Sequence, residues 1–256
     1  MVANIVAGIA ASCVLGIGAL LWRHRVLVSV AGLGLLASGT IRVSMAALLR
    51  VKDDDRYVLF HSSYRPGSYG PPGGVFKALP SAKRFLDRIG FREHRSRSRA
   101  GAMHADLRGF VRAREVATFL RWFAKNLDRE SGPDCLRREL VEELNEGGHG
   151  TLAPLEAGAT FTHVRTVLER PTRVPGETYR QVRRFEIYDL ALADVRSQRL
   201  RAVLLALAAD SSAPGIISAT SGDIIDGRRG RNLLAPQSAF LFGWRRYRQD
   251  LPPTKG

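Results

Sequence analysis

No acidic residue occurs in the first fifty-two positions of the chain; Asp53 is the first carboxylate. Residues 2–22 carry no charge and are rich in Val, Ala, Ile, Leu and Gly. Wound as a helix, that stretch would extend roughly 30 Å, the thickness of a bilayer's hydrocarbon core. Arg23, His24 and Arg25 interrupt it, and residues 26–49 are again apolar apart from Ser, Thr and Arg42. An arginine near one end of a span can snorkel to the headgroups. The sequence therefore predicts two transmembrane helices, about residues 2–22 and 26–46, forming a hairpin within residues 1–50. A secretory signal would need a basic start and an apolar core of roughly 7–15 residues. Here the apolar run starts at Val2, is longer, and ends in Trp-Arg-His-Arg. The competing reading is a buried helical hairpin of a soluble protein. Arg50, Lys52, Arg56 and Arg65 outnumber the basic residues of the turn, which favours keeping the following domain in the cytoplasm.

Residues 51–256 are enough for one domain with its own core. The formal net charge of the chain is +15, and the excess sits after the apolar segment. It is densest at Arg84, Arg88, Arg92, Arg95, Arg97 and Arg99, with further clusters at residues 228–231 and 244–248. Such runs are either solvated loops or contacts for an anionic partner, phosphates or lipid headgroups; Arg95, Arg97 and Arg99 are the candidate phosphate contacts. The two cysteines, Cys13 and Cys135, lie far apart and suggest no disulfide framework. The six histidines show no metal-ligand spacing. Residues 57–60, 75–77, 161–169, 179–190 and 216–217 read as strands. Val116, Phe119, Leu120, Phe123 and Leu127 mark an amphipathic helix. Further helices are expected at 193–208 and 235–242. Strands and helices mix without βαβ regularity, so the class is α+β.

The segment 132–147, Gly-Pro-Asp-Cys-Leu-Arg-Arg-Glu-Leu-Val-Glu-Glu-Leu-Asn-Glu-Gly, concentrates the chemistry. Pro133 and Asp134 suit the first turn of a helix. Leu136, Leu140 and Leu144 form one buried stripe, while Glu139, Glu142, Glu143 and Glu146 share another face. Carboxylates stacked at i, i+4 repel by about 0.2–0.5 kcal/mol per pair. A hard divalent cation would relieve that repulsion, and a solvated acidic face is the plain alternative.

Residues 138–144, Arg-Glu-Leu-Val-Glu-Glu-Leu, resemble the signature of Nudix hydrolases over its first seven positions. Asn145 and Glu146 depart from it, standing where Gly and an aliphatic residue are expected. Pro72-Gly73-Gly74-Val75 resembles the Gly-Gly that opens the same box, but the helix follows about sixty residues later. The box thus reads as split by an insertion at about 78–131, and Glu130 precedes Arg138 by the family's seven-residue gap. The resemblance implies a mixed sheet with flanking helices and Mg²⁺ (or Mn²⁺) as cofactor. It implies Glu142 and Glu143 as metal ligands, Glu139 as ligand or general base, Arg138 as the residue orienting a carboxylate, and Gly73 and Gly74 at the nucleotide. The apolar hairpin, the Pro-Pro-Gly-Gly-Val-Phe-Lys run, the split box and the tail at 220–241 together resemble the SMODS-associated Nudix proteins of bacterial CBASS antiphage systems. That resemblance implies an inner-membrane effector in which the domain senses a cyclic oligonucleotide and homo-oligomers of the hairpin disrupt the bilayer. Duplex nucleic acid is not an expected partner. The alternative is a membrane-tethered, Mg²⁺-dependent hydrolase of nucleoside diphosphate-linked substrates. A third is a structural partner that recruits another protein through its basic surface.

Overall fold

Ile41, Val43, Met45, Ala47 and Leu49 recur every second residue, and that period belongs to a strand. In the computed structural model, which describes residues 39–94, 105–152, 155, 157–213 and 215–250, those five side chains are at most 5 % exposed and enter the main core from strand β1 (Thr40–Arg50). The part of the expected second membrane span that falls within the described residues is thus sheet. Among the described residues no helix is long and apolar enough to cross a membrane. The longest helices found there have fifteen residues, against the roughly 20 a span needs. The expected inner-membrane localisation is overturned on that finding; residues 2–22 and the start of the second span lie outside the described residues. The misreading has a physical cause. Between Ala46 and Leu49 both faces of the strand are covered, one by the main core and the other by Val167, Phe185 and Phe240. Alternation therefore disappears into a continuous apolar run.

After β1 the chain forms β2 (Lys52–Asp53), β3 (Arg56–His61), β4 (Ser68–Gly70) and β5 (Gly73–Val75). Helix α1 (Lys83–Arg88), β6 (Arg92–Glu93), β7 (Arg108–Arg112) and helix α2 (Val116–Ala124) follow, and then helix α3 (Gly132–Glu146). The remainder is β8 (Phe161–Leu168), β9 (Thr172–Arg173), β10 (Arg180–Leu190), α4 (Val195–Ala209), β11 (Ile216–Thr220), α5 (Ser221–Asp226), β12 (Arg228–Arg229) and β13 (Asn232–Leu234). The fold is accordingly α+β, with strands from all parts of the chain in mixed pairings.

One sheet has the order β6-β7-β1-β10-β8. At its centre β1 runs parallel to β10, with Ile41 facing Arg180 and Arg50 facing Asp189. The other edge of β1 is shared: β7 pairs with residues 40–44 and β5 with residues 46–48, both antiparallel. A second sheet, β11-β3-β4-β13-β12, has its own apolar cluster around Leu59, Ala219 and Leu241.

Helix α2 lays Val116, Phe119, Leu120 and Phe123 into the main core as its sequence period predicts, together with Trp122, whereas Leu127, the fifth expected member, lies past the helix end and is exposed. Each such burial contributes about 1.5–3 kcal/mol. Arg129 is buried between these aromatics, 3.9 Å from the Phe123 ring centroid and 4.5 Å from that of Phe76. Its charge is met by the equally buried Glu186 at 3.2 Å, which also accepts from Tyr188 Oη. Tyr188 in turn touches Gly132: a Cβ there would lie 2.0 Å from the Tyr188 oxygen, so only glycine lets α3 start against β10.

Candidate functional site

Helix α3 is set by its ends and its stripe. Ser131 caps it, accepting from the backbone N–H of Asp134 at 3.2 Å. Leu136, Leu140, Leu144 and Cys135 are buried. The opposite edge presents the four glutamates.

Arg138 organises the first of them. It makes a forked pair with Glu130, at 2.9 Å to each carboxylate oxygen, and bonds Glu139 at 2.6 Å and the Val75 carbonyl at 2.9 Å. Forked guanidinium–carboxylate pairs fix orientation as well as charge. The chain between β5 and α3 leaves and returns at a closed neck. Lys77 and Glu130 exchange hydrogen bonds through Lys77 N to the Glu130 carboxylate and Glu130 N to the Lys77 carbonyl, while Ala78 bridges Arg129. The two halves of the box, distant in sequence, therefore meet in space, and the Glu130–Arg138 spacing corresponds to a real contact.

Gly73 and Gly74 lie directly against the glutamates. The Gly73 N–H donates to Glu143 at 3.0 Å, and a Cβ on Gly73, whose φ is +121°, would sit 2.3 Å from the Ala47 carbonyl oxygen. A Cβ on Gly74 would fall 2.0 Å from the Glu139 carboxyl carbon. Burial pushes the Glu143 carboxyl well above the usual range; the Gly73 N–H offsets part of this, and Glu139, Glu146 and Glu142 add repulsion. Glu139 is also pushed up by burial, against the pull of Arg138. Glu142 and Glu146 are exposed, and Glu142 lies 3.5 Å from Arg138. Cys135 is buried and its thiol is raised by burial, which leaves it inert as a nucleophile.

These glutamates form one wall of a cavity of about 690 Å³, a size typical of small-molecule sites. Facing it are Arg42 on β1, which the sequence marked only as the charge interrupting an apolar run, and residues it did not single out: Arg108 on β7, Gln181 and Arg183 on β10, with Tyr179 and Asp250. His61 and Tyr69, in edge-to-face contact at 5.3 Å, line another side. The alternation Ile41-Arg42-Val43-Ser44-Met45 was the available signal for Arg42, since it turns that arginine away from the core. Arg95, Arg97 and Arg99, the expected phosphate contacts, lie outside the described residues.

Together these elements define a Nudix-type domain: a mixed sheet, a glutamate-bearing helix, and a Gly-Gly strand packed on it. A family model for the SMODS-associated NUDIX domain matches residues 40–242, and the chain belongs to that family. Membership carries a link to cyclic-oligonucleotide signalling. No curated protein matches the chain.

Nudix domains generally use Mg²⁺ or Mn²⁺. Among the described residues, no three His, Cys, Asp or Glu side chains converge into a group that would hold a metal ion. Arg138 already takes an oxygen of Glu139, and Gly73 one of Glu143. The donors are of the right chemical type, yet their arrangement does not compose such a site.

Proposed function

We propose that the domain is the sensor of a CBASS system and binds a cyclic oligonucleotide in the cleft between α3 and the β7-β1-β10 face. The observation that carries this is the cleft itself. Its sheet wall bears guanidinium groups suited to phosphodiesters, and Tyr69, Tyr179 and His61 offer rings against which bases stack. Gly73 and Gly74 then serve the site indirectly, by letting β5 approach the α3 carboxylates closely enough to shape its floor. Calorimetric titration of the full chain with a panel of cyclic di- and trinucleotides is expected to find one that binds; no binding to any of them overturns the reading.

A second reading is favoured by the contact chain Glu130–Arg138–Glu139, which assembles the Nudix box around the cleft. On this reading Glu139, Glu142 and Glu143, once released from Arg138 and the Gly73 N–H, would be the residues to hold a divalent ion, which would supply charge neutralisation for hydrolysis of a nucleoside diphosphate-linked substrate. Mg²⁺-dependent phosphate release by the wild type, lost in Glu142→Gln, would establish it. Equal inactivity of both across a broad substrate screen would remove it.

A further inference from the structure

The sheet register brings three arginines to one place. Arg42 pairs with Gln181 and Phe110, and the next outward position, Ser44, pairs with Arg183 and Arg108. Paired residues, and residues two apart, share a face, so Arg42, Arg108 and Arg183 stand together on the cleft side of β7, β1 and β10. Their charge is answered unevenly: Arg108 and Arg183 have carboxylate partners and Arg42 has none among the described residues. Arg42 bonds only neutral groups among the described residues, the His94 Nδ1 at 3.4 Å and the Gln181 Oε1 at 3.0 Å. Its pKa is pushed down to about 10, first by burial, with Arg108 and Arg183 adding repulsion. Arg108 is held by Asp106 through Nη2, but its Nε is buried with no partner among the described residues. Arg183 bonds Glu169 and Asp250, but its Nη2 is buried with no partner among the described residues. Leaving such a donor unmatched is costly, and both arginines line the same cavity.

Three carboxylates already touch this cluster, those of Asp106, Glu169 and Asp250. The Asp250 carboxylate accepts from Arg183 Nη1 at 3.0 Å, Gln181 Nε2 at 2.7 Å and Arg246 Nη1 at 2.8 Å. It therefore occupies polar groups that the sheet presents to the cleft, in the way a phosphate oxygen would.

We propose that Arg42, Arg108 and Arg183 form a phosphate-binding subsite of the cleft, and that the Asp250 carboxylate is an internal competitor which an incoming phosphodiester displaces. The proposal rests on the reading of the cleft as a nucleotide site and names where that ligand's phosphate anchors.

The probe is inorganic pyrophosphate, titrated calorimetrically into the full chain with EDTA present, so that no divalent ion on α3 contributes. Asp250→Asn removes the competing charge and keeps an acceptor; pyrophosphate affinity should rise roughly fivefold, the scale of one partly screened charge repulsion. Arg42→Gln should lower it roughly tenfold or more, Arg42→Lys less, and the exposed Arg121→Gln not at all. An Asp250→Asn affinity no higher than wild type, or no binding to either protein, overturns the proposal. So does unchanged binding in an Arg42→Gln protein that melts like wild type; if that variant does not fold, Asp250→Asn decides alone. A parallel titration with the cyclic nucleotide panel separates the two readings. Pyrophosphate binding with these changes, but no nucleotide binding, keeps the subsite and removes the nucleotide sensor. Nucleotide binding indifferent to Asp250→Asn and to folded Arg42→Gln keeps the sensor and removes the subsite.

Discussion

Glu143 shows how one side chain can be held against its own preference. A carboxyl whose pKa in the fold is raised above its unfolded value favours the fold while protonated. That contribution is complete below the unfolded pKa and is lost as pH rises through the folded one. With burial as the leading cause, Glu143→Gln, which keeps an acceptor for the Gly73 N–H, should be more stable than wild type at neutral pH. The gain should shrink as pH falls towards the ordinary glutamate range near ~4.3, read by urea unfolding at several pH values; a gain independent of pH would contradict the assignment. Arg129 is the opposite case, a buried charge fully engaged with Glu186 and two carbonyls. Arg129→Met removes one of the two arginines on Glu186, leaving Arg184 at 3.1 Å and the Tyr188 hydroxyl, and should cost about 1.5–3 kcal/mol by urea unfolding, with part of the loss recovered in the Arg129→Met, Glu186→Gln double variant. The sequence shows neither environment, because both depend on partners more than fifty positions away. The box glutamates and Arg138 were visible in sequence as a local helical pattern. The grouping of Arg42 with Arg108 and Arg183 was not, because what unites them is strand register rather than spacing.

At the scale of elements, α3 was readable from Pro133 and Asp134 in its first turn, the leucines of its buried stripe and the glutamates of its other edge, while its cap, Ser131, was found only in the structure. The cap can be tested directly. Ser131→Ala should lower stability by about 1 kcal/mol, visible as an earlier denaturant midpoint with an unchanged slope. Gly74→Ala makes a sharper demand, since the new methyl group meets the Glu139 carboxylate. The expected result is a loss of about 1–3 kcal/mol. The companion Gly74→Ala, Glu139→Ala variant should regain part of that loss if the collision is its source. Strand β1 was the element misread. Its first half alternates, Ile41-Arg42-Val43-Ser44-Met45, but the apolar run that follows hid that period and joined it to the residues before it. The strands β8 and β10 were legible because their runs are long and bounded by a Pro/Gly turn. β7 was overlooked: its Arg-Gly-Phe-Val-Arg is too short to stand out from the basic stretch around it.

For the whole molecule, the cleft is assembled from the acidic edge of one helix, a sheet wall built from three separate segments, and the loops of the second sheet. A ligand that spans those parts stabilises all of them. A cyclic nucleotide supplied at a hundredfold excess over its Kd should add about 2.7 kcal/mol, and hence raise the melting midpoint by roughly 5–10 °C for a domain of this size. Added salt should reduce that shift, because arginine–phosphate contacts are screened. A midpoint that does not move with a ligand shown to bind would mean that the unfolded chain binds it equally well, so that the assembled cleft is not what recognises it. Domain class was readable from mixed strand and helix patterns alone, whereas the cleft was not, since its walls come together only through the pairing of strands distant in the chain.

That pairing has a consequence for how the protein is made. On a ribosome, β1 emerges early, and the strands for one of its edges, β5 and β7, are complete by Arg112. Its parallel partner β10 ends at Leu190, so at bacterial or eukaryotic translation speeds the other edge waits on the order of several seconds for it. For that interval the nascent chain carries an apolar strand with one open side. The order of synthesis thus makes the β5-β1-β7 unit the first piece of the sheet able to form, and leaves the arginine wall incomplete until β10 arrives to close it.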